Sequence, residues 1–301
     1  MKQYSVRPPK ISDLESVYEL IAQQNMLDYG SAMITVDDLR KKWEGLNLDD
    51  DACIAYLGHE LAGYAELLEG DSPYIYIADR LNVDLAFQLL MILESKVISQ
   101  KKGRVNLFTR VSEKNRTLLQ LFASNGYHSN LSFQIMAVTL DEPPPPPLWP
   151  EGISVRTFAK GQDEQATYQA DEEAAQDKGY HDPLRYEDWV KRMRMDKESF
   201  DSSLWFLACD GRSAAIAGVA LNLYAKESNT GWVDHLSVRR AWRKQGIGKA
   251  LLLHSLAEFY RRDIRQVKLS VDSKGLTNAP RLYESVGMKI IQQYHIYRKE
   301  I

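Results

Sequence analysis

The chain has 301 residues, of which 44% are hydrophobic and 26% are charged, so it can bury a sizeable core and is not of disordered composition. Its length suits two ordinary domains, and a formal net charge of -3 gives no overall basic surface for nucleic acid. The start, MKQYSVR, lacks an apolar signal sequence and no window of about 18 apolar residues follows, so we expect a soluble, cytoplasmic protein that does not enter a membrane.

The sequence consists of two similar halves in succession. YSVRPPKISDLESVYELI resembles ISVRTFAKGQDEQATYQA, and ACIAYLGHELAGYAEL resembles WFLACDGRSAAIAGVALNL, with Gly63 opposite Gly218. VNLFTRVSEKNRTLLQLFASNGY likewise resembles VKLSVDSKGLTNAPRLYESVGM. Each half is predicted to run strand, helix, two to three strands, long helix, strand, helix, strand, which is an α/β pattern around a mixed sheet. Cys53 and Cys209 lie in apolar runs typical of strands, so we expect buried thiols in a reducing compartment.

A proline-rich stretch, DEPPPPPLWPEG at 141–152, separates the halves. Five consecutive prolines lack backbone donors and favour a stiff polyproline II conformation, which can continue neither a strand nor a helix. The sequence therefore predicts a first domain at 1–140, a linker at 141–150 and a second domain at 151–301. A polyproline II ligand for a partner domain is the alternative interpretation of this stretch.

The second half contains two glycines where a long helix is predicted to begin. TGWVDHLSV (230–238) alternates and is rich in aromatic and β-branched residues, which predicts a strand, and apolar residues recur at helical spacing from Ile247 onward. Because Gly246 and Gly248 lack side chains, an anion can approach the first amides of this helix, which have no internal acceptor and lie at the positive end of its dipole. The pattern predicts a phosphate-binding loop at 239–249.

The spacing of this loop resembles that of one known family. The loop lacks the GxxxxGK[ST] of a P-loop, and Leu251 stands where a dinucleotide fingerprint needs its third glycine. RKQGIG (243–248) instead resembles the R/Q-x-x-G-x-G/A pyrophosphate loop of the GNAT acyltransferase superfamily, and TNAPRLYESVGM downstream resembles its closing A-x-x-L-Y-E-x-x-G-F/M element. The resemblance covers 151–301 and, more faintly, 1–140.

The resemblance implies two tandem GNAT-like α/β folds, each with a mixed, largely antiparallel sheet flanked by helices. It also implies transfer of an acetyl group from acetyl-CoA to an amine acceptor by the carboxy-terminal half, without a metal. The layout is similar to that of tandem members of the family such as mycothiol synthase. Two alternatives stay open: a non-catalytic acyl-CoA sensor or interaction protein, and an enzyme that uses a longer acyl donor.

The resemblance also assigns residues to the coenzyme site. The backbone amides of this loop would hold the pyrophosphate, and Arg243 and Lys244 would supply positive charge. The residues assigned to the loop are Arg243, Lys244, Gln245, Gly246, Ile247, Gly248 and Lys249. In the family the preceding strand separates from its neighbour and pairs with the pantetheine arm. That role maps onto Leu236, Ser237 and Val238, where an amide could polarise the thioester carbonyl. The family asparagine would fall at Gly275; Asn278, three residues later, would contact the coenzyme or cap a helix.

One residue is expected to protonate the leaving group. In the family, the tyrosine of the L-Y-E element donates a proton to the departing thiolate. In this sequence that tyrosine is Tyr283. A generic buried tyrosine is the alternative interpretation.

The strand before the loop supplies candidates for the base. Period-two alternation places Trp232, Asp234, Leu236 and Val238 on one face, and we expect Asp234 to accept the proton. His235 would point to the other face unless a bulge rotates it. A water chain without a single base is the third alternative.

The acceptor site has a weak signal in DEEAAQDKGYHD, which lies near the loop after the first helix of the second half. In this family that loop commonly borders the acceptor. The acidic residues are Asp171, Glu172, Glu173 and Asp177. They would form an acidic rim that suits a cationic amine, and a solvated helix face is the alternative.

The first half has lost the residues that carry these functions. When the first half is aligned on the second, Asp84 falls opposite Gly246, Ala86 opposite Gly248, Leu81 opposite Arg243, and Phe122 opposite Tyr283. A carboxylate repels a pyrophosphate, and phenylalanine has no hydroxyl to donate. We therefore expect one acyl-CoA site per chain and a degenerate first domain that walls the acceptor pocket or forms a homodimer face.

Overall fold

The computed structural model describes residues 3–101, 103–176, 183–197, 200–273 and 279–301. Contacts divide the chain into two compact units, Met1–Phe133 with Gln292–Ile301, and Gln134–Ile291. Both units are α/β structures, as the sequence predicts. Within the described ranges, no helix is long and apolar enough to cross a membrane.

The first half of the chain forms five helices and six strands within the described residues. They are β1 (Ser5–Arg7), α1 (Leu14–Tyr29), α2 (Val36–Glu44), α3 (Leu48–Asp51), β2 (Ala52–Leu57), β3 (Glu60–Leu68), β4 (Ser72–Ile77), α4 (Val83–Gln100), β5 (Asn106–Ser112), α5 (Arg116–Ser124) and β6 (His128–Thr139). Strands β1 to β4 form an antiparallel sheet in that order. A core that includes the buried Cys53 lies between this sheet and α4.

The second half forms the elements that follow the proline-rich stretch. They are β7 (Ile153–Thr157), α6 (Glu164–Ala175), α7 (Tyr186–Arg192), β8 (Trp205–Asp210), β9 (Ile216–Ala225), β10 (Thr230–Val238), α8 (Ile247–Arg261), β11 (Gln266–Asp272), α9 (Ala279–Glu284) and β12 (Lys289–Glu300). Strands β7 to β10 pair antiparallel in order, and β10 pairs parallel with β11. Helix α8 covers one face of this mixed sheet, and α6 and α7 cover the other. Cys209 is half-buried.

Each half of the sequence contributes part of its last strand to the unit of the other half. Residues of β6 from Gln134 onward belong to the second unit, where β6 lies beside β11. Residues of β12 from Gln292 onward belong to the first unit and pair antiparallel with every residue of β5. The compact units therefore differ at their ends from the predicted ranges 1–140 and 151–301.

The two halves of the sequence begin with the same ion pair. Arg7 on β1 donates two hydrogen bonds of 2.8 Å to Asp13, and Arg156 on β7 donates two of 2.5 and 2.8 Å to Asp163. Chiefly because of the hydrogen bond from the arginine, the pKa of Asp13 falls to about 2 and that of Asp163 is also lowered. This repeated contact supports the duplication that the sequence predicts.

The long helices α4 and α8 pack in equivalent ways. A Cβ added to Gly63 on β3 would lie 2.9 Å from Leu89, and one added to Gly218 on β9 would lie 3.3 Å from Leu251. When the helices are aligned as the sequence predicts, buried residues coincide; the pairs include Leu85 and Ile247, Leu89 and Leu251, Leu90 and Leu252, and Val97 and Phe259. The packing therefore favours the predicted alignment.

Candidate active site

The loop before α8 leaves its amides uncovered. Lys244 has a φ of 60° and Gly246 a φ of 90°, so two left-handed residues flank Gln245. Gly246 is the N-cap of α8, and no side chain caps the helix there. A Cβ added at Gly246 would meet no described atom within 4 Å. The first amides of α8 therefore open onto space at the positive end of the helix dipole, which suits an anion.

Two further glycines lie around this loop. A Cβ on Gly218 would lie 2.7 Å from the carbonyl oxygen of Ser237, closer than real Cβ atoms approach. At Gly248 a Cβ would lie 3.6 Å from Leu282 and 3.7 Å from Val238, which is ordinary contact. Close packing therefore requires Gly218 but not Gly248, and close approach of an anion stays a prediction for Gly248.

The cations of the loop have different surroundings. Arg243 donates from Nε to the carbonyl of Val238 at 2.9 Å and from Nη2 to the carbonyl of Ala174 at 3.0 Å. Its guanidinium thus fastens the loop to the end of β10 and to α6, and a contribution to phosphate binding stays a prediction. Lys244 and Lys249 are exposed.

Strands β10 and β11 pair over only part of their length. The parallel ladder joins residues 230–232 to residues 266–268. Strand β10 nevertheless continues to Val238 and β11 to Asp272, while β9 stays paired with β10 as far as Val238. We call the space between residues 233–238 and 269–272 the strand gap. Its presence matches the strand separation that the family resemblance implies.

Alternate backbone groups of β10 point into the strand gap. The N–H of Arg239 donates to Ala217 on β9, so in a regular antiparallel ladder the N–H and C=O of Val238 point away from β9. The hydrogen bond from Arg243 to the Val238 carbonyl agrees with this direction. By the same alternation the N–H of Leu236 faces the gap, whereas Ser237 is bonded towards β9.

A β-bulge at Asp234 changes which side chains of β10 share a face. The register with β9 skips Asp234, which is exposed. Val233 lies in the core beside α8, and so do Leu236 and Val238. Trp232 must then point to the opposite face. The prediction that Trp232, Asp234, Leu236 and Val238 share one face is therefore wrong, because a bulge shifts the alternation by one residue.

His235 and Ser237 lie on the face that packs against α6, where they share a buried carboxylate. Asp171 Oδ2 is 2.8 Å from His235 Nδ1 and accepts a 3.1 Å hydrogen bond from Trp189 Nε1, while Oδ1 accepts one of 2.8 Å from Ser237. Asp171 is only 3% exposed. Burial alone would raise its pKa, but the charge of His235 and these three hydrogen bonds together hold the pKa well below its usual range.

The acidic side chains of α6 therefore make contacts within the second unit. Asp171 belongs to the buried network, so the prediction of an acidic rim is wrong for this residue. Glu172 accepts a hydrogen bond from a backbone N–H before α7, and Glu173 pairs with Arg239. Asp177 lies outside the described residues.

Tyr283 lies on α9 in the core of the second unit. It is 8% exposed and packs in a cluster that includes Leu269 and Met288. Burial raises its pKa to about 12, so the hydroxyl is protonated at neutral pH. Asn278, which precedes α9, lies outside the described residues.

The first unit closes the equivalent helix start. Asn82 is the N-cap of α4, and its side chain accepts a 3.1 Å hydrogen bond from the amide of Leu85. Asp84 follows, exposed, in the first turn. Phe122 and Tyr283 make the same backbone hydrogen bonds. The carbonyl of each accepts from the N–H groups of the residues three and five positions later in the chain. An amide cap and a carboxylate thus stand where the second unit has an open helix start.

The sequence analysis assigned no individual role to two residues that support the site, Trp189 and Arg239. Both contact acidic residues of α6, at Asp171 and Glu173, from elements distant along the chain. No local pattern signals such contacts, because each depends on how α6 packs against the sheet. In the part of the chain that the structure describes, no group of three or more His, Cys, Asp and Glu side chains could hold a metal ion.

Known proteins are similar to this chain in sequence and in fold. The Acetyltransferase (GNAT) family matches residues 164–288. A mycothiol acetyltransferase from Thermobispora bispora is 31% identical over 242 residues, covering 78% of each chain. A GCN5-related N-acetyltransferase from Sphaerobacter thermophilus has a TM-score of 0.82 at 33% identity, covering 99% of this chain and 95% of its own. A tandem GNAT protein from the clavulanic acid biosynthesis pathway shares the fold, with a TM-score of 0.66 at 15% identity over 99% and 98% of the two chains.

Proposed function

Since the chain belongs to the GNAT family of acetyltransferases, which use acetyl-CoA as the acyl donor, we propose that its second unit carries the reaction and that the acceptor is a primary amine. The observation that carries this proposal is the uncapped start of α8 beside the strand gap. The first unit offers no such pair of features, because Asn82 caps α4. Acetyl transfer is also the activity in the name of the relative from Thermobispora bispora.

The loop and the strand gap would divide the binding of the donor between them. The amides at 244–249 would hold the pyrophosphate, with Lys244 and Lys249 exposed to add charge. The pantetheine arm would lie along the outer edge of β10, where Leu236 and Val238 present backbone groups that β9 does not use. A main-chain N–H on that edge would stabilise the negative charge that develops on the thioester oxygen.

Tyr283 would supply the proton that the departing thiolate needs. Its buried hydroxyl has no hydrogen-bond partner among the described residues, and its pKa of about 12 keeps it protonated at neutral pH. The amine must lose a proton as it attacks, and β10 carries two candidate acceptors, the exposed Asp234 and the half-buried His235. Burial of Tyr283 also keeps bulk water from competing as the donor.

Release of thiol from acetyl-CoA tests this function. The full chain is incubated with acetyl-CoA together with glucosamine, spermidine or alaninamide, each in a separate reaction, and the free thiol is followed with a chromogenic disulfide. We expect release above the rate of hydrolysis with at least one amine, and the acetylated amine in the products. Binding of acetyl-CoA without release of thiol for any amine would instead support the acyl-CoA sensor.

A further inference from the structure

The β-bulge of β10 has a consequence for proton transfer. Without it, His235 would follow the alternation of Val233 and point towards α8. With Asp234 skipped, the imidazole lies on the α6 face, where its side chain is 19% exposed and its Nδ1 is 2.8 Å from Asp171. A bulge beside a binding cleft is a common means of re-aiming one side chain.

Asp171 fixes the protonation pattern of the ring. Its carboxylate is ionised and can only accept hydrogen bonds, so the Nδ1 of His235 must carry the proton that joins them. Trp189 and Ser237 hold the carboxylate in place from two other directions. In the neutral ring, Nε2 is then the nitrogen that can accept a proton.

His235 is also next to the place where the proposed reaction occurs. It is the chain neighbour of Leu236, whose N–H faces the strand gap, and consecutive Cα atoms are about 3.8 Å apart. On β9, the residue that pairs with His235 is the apolar Leu221. Among the described residues, the charged groups near it include Asp171 on α6, Asp234 on its own strand and, two residues on from Asp171, Glu173, which pairs with Arg239.

We propose that His235 is the base of the reaction and that Asp171 is its positioning residue. Nε2 of His235 takes one proton from the amine nitrogen as that nitrogen bonds to the thioester carbon. The carbon–sulfur bond then breaks, and the thiolate takes the proton of Tyr283, so that amide and thiol are the products. The proton on His235 then returns through solvent to the Tyr283 phenolate, which restores both side chains. This assignment rests on the proposed function and replaces Asp234 as the base.

The pH dependence of the amine reaction tests the assignment in the full chain. With acetyl-CoA and the fastest of glucosamine, spermidine and alaninamide, kcat/KM should fall on the acid side as His235 becomes protonated. His235→Gln should lower kcat/KM about 10²–10⁴-fold and remove the part of this acid limb that protonation of the amine itself does not produce. Asp171→Asn should cost about tenfold or more, the loss of one charge-assisted hydrogen bond, and move the limb to lower pH because imidazolium loses its counter-charge. His59→Gln, an exposed histidine in the first unit, should behave as wild type.

A measurement without turnover separates this proposal from the proposed function. Long-range ¹H–¹⁵N NMR of the labelled chain at a pH above the acid limb, with His235→Gln to identify the signal, should show a neutral ring protonated on Nδ1. An Nε2–H ring would overturn the proposal, and so would His235→Gln activity within about threefold of wild type. Loss of the acid limb in Asp234→Asn, with the limb intact in His235→Gln, would return the role to Asp234. Failure of the proposed function would appear differently, as no turnover by the wild-type chain.

Discussion

Tyr283 and Asp171 are both buried in the second unit, yet their ionisation differs. Among the described residues no charged group offsets the loss of water around Tyr283, so burial raises its pKa to about 12. Asp171 meets the same penalty, but His235, Trp189 and Ser237 outweigh it and keep the carboxylate charged. The candidate site therefore contains a neutral hydroxyl at Tyr283 and a fixed anion at Asp171.

Replacement of Tyr283 tests its role as the proton donor. Tyr283→Phe should lower kcat about 10²–10⁴-fold, the usual contribution of a positioned acid, with little change in KM for acetyl-CoA because the ring stays in the core. Tyr260→Phe is the control, since this half-buried tyrosine of α8 contacts Arg265 instead. Steady-state kinetics measure both. A near wild-type kcat for Tyr283→Phe, where chemistry limits the rate, would leave Tyr283 with a structural role only.

At the scale of elements, the loop before α8 is held by contacts that leave its amides uncovered. Arg243 bonds to the carbonyls of Val238 and Ala174, and Arg239 bonds to Glu173. These contacts fix the loop to β10 and α6 without using the first amides of α8. The open helix start is therefore already formed without a ligand, which would lower the ordering cost of binding an anion there.

Gly246 allows charge to be tested without a change of volume. Gly246→Asn and Gly246→Asp place side chains of equal size at the same left-handed residue, where the Cβ meets no described atom. Any backbone strain is shared, so the difference between them reports charge. We expect Gly246→Asp to bind acetyl-CoA much more weakly than Gly246→Asn in calorimetry, with both variants folded by circular dichroism. Equal affinities would argue against a pyrophosphate at this loop.

The sequence predicts the helices and strands around the site more accurately than it predicts which side chains share a face. Alternation in TGWVDHLSV gives β10, and the apolar spacing from Ile247 gives α8, because both depend on local periodicity. The bulge at Asp234 breaks that periodicity without a local signal, so the sequence assigns the wrong face. The contact between Asp171 and His235 spans the packing of α6 on the sheet, which no short pattern encodes.

At the scale of the whole molecule, the repeats of the sequence and the compact units of the structure are not the same. Each half is predicted with a last strand of its own, and both strands exist as β6 and β12. The exchange of these strands could not be predicted, because alternation defines a strand but not the edge with which it pairs. The duplication is visible from the sequence, and the boundary is not.

Truncated chains distinguish the predicted domain boundary from the boundary of the compact unit. A fragment of residues 134–291 contains the whole second unit, whereas residues 151–301 lack the part of β6 beside β11 and carry a last strand whose partner β5 is absent. We expect 134–291 to be soluble and to unfold cooperatively, and 151–301 to aggregate through its exposed strand edges. Solubility and thermal unfolding measure this, and a well-folded 151–301 would contradict the exchange.

The central claim is that the donor binds once per chain, at the loop and strand gap of the second unit. Calorimetric titration of the full chain with acetyl-CoA, with a crystal soak to locate the ligand, tests it most directly. We predict one molecule per chain, between β10 and the start of α8, because Asn82 and Asp84 close the equivalent helix start in the first unit. Two molecules per chain, or a single molecule bound in the first unit, would contradict the account.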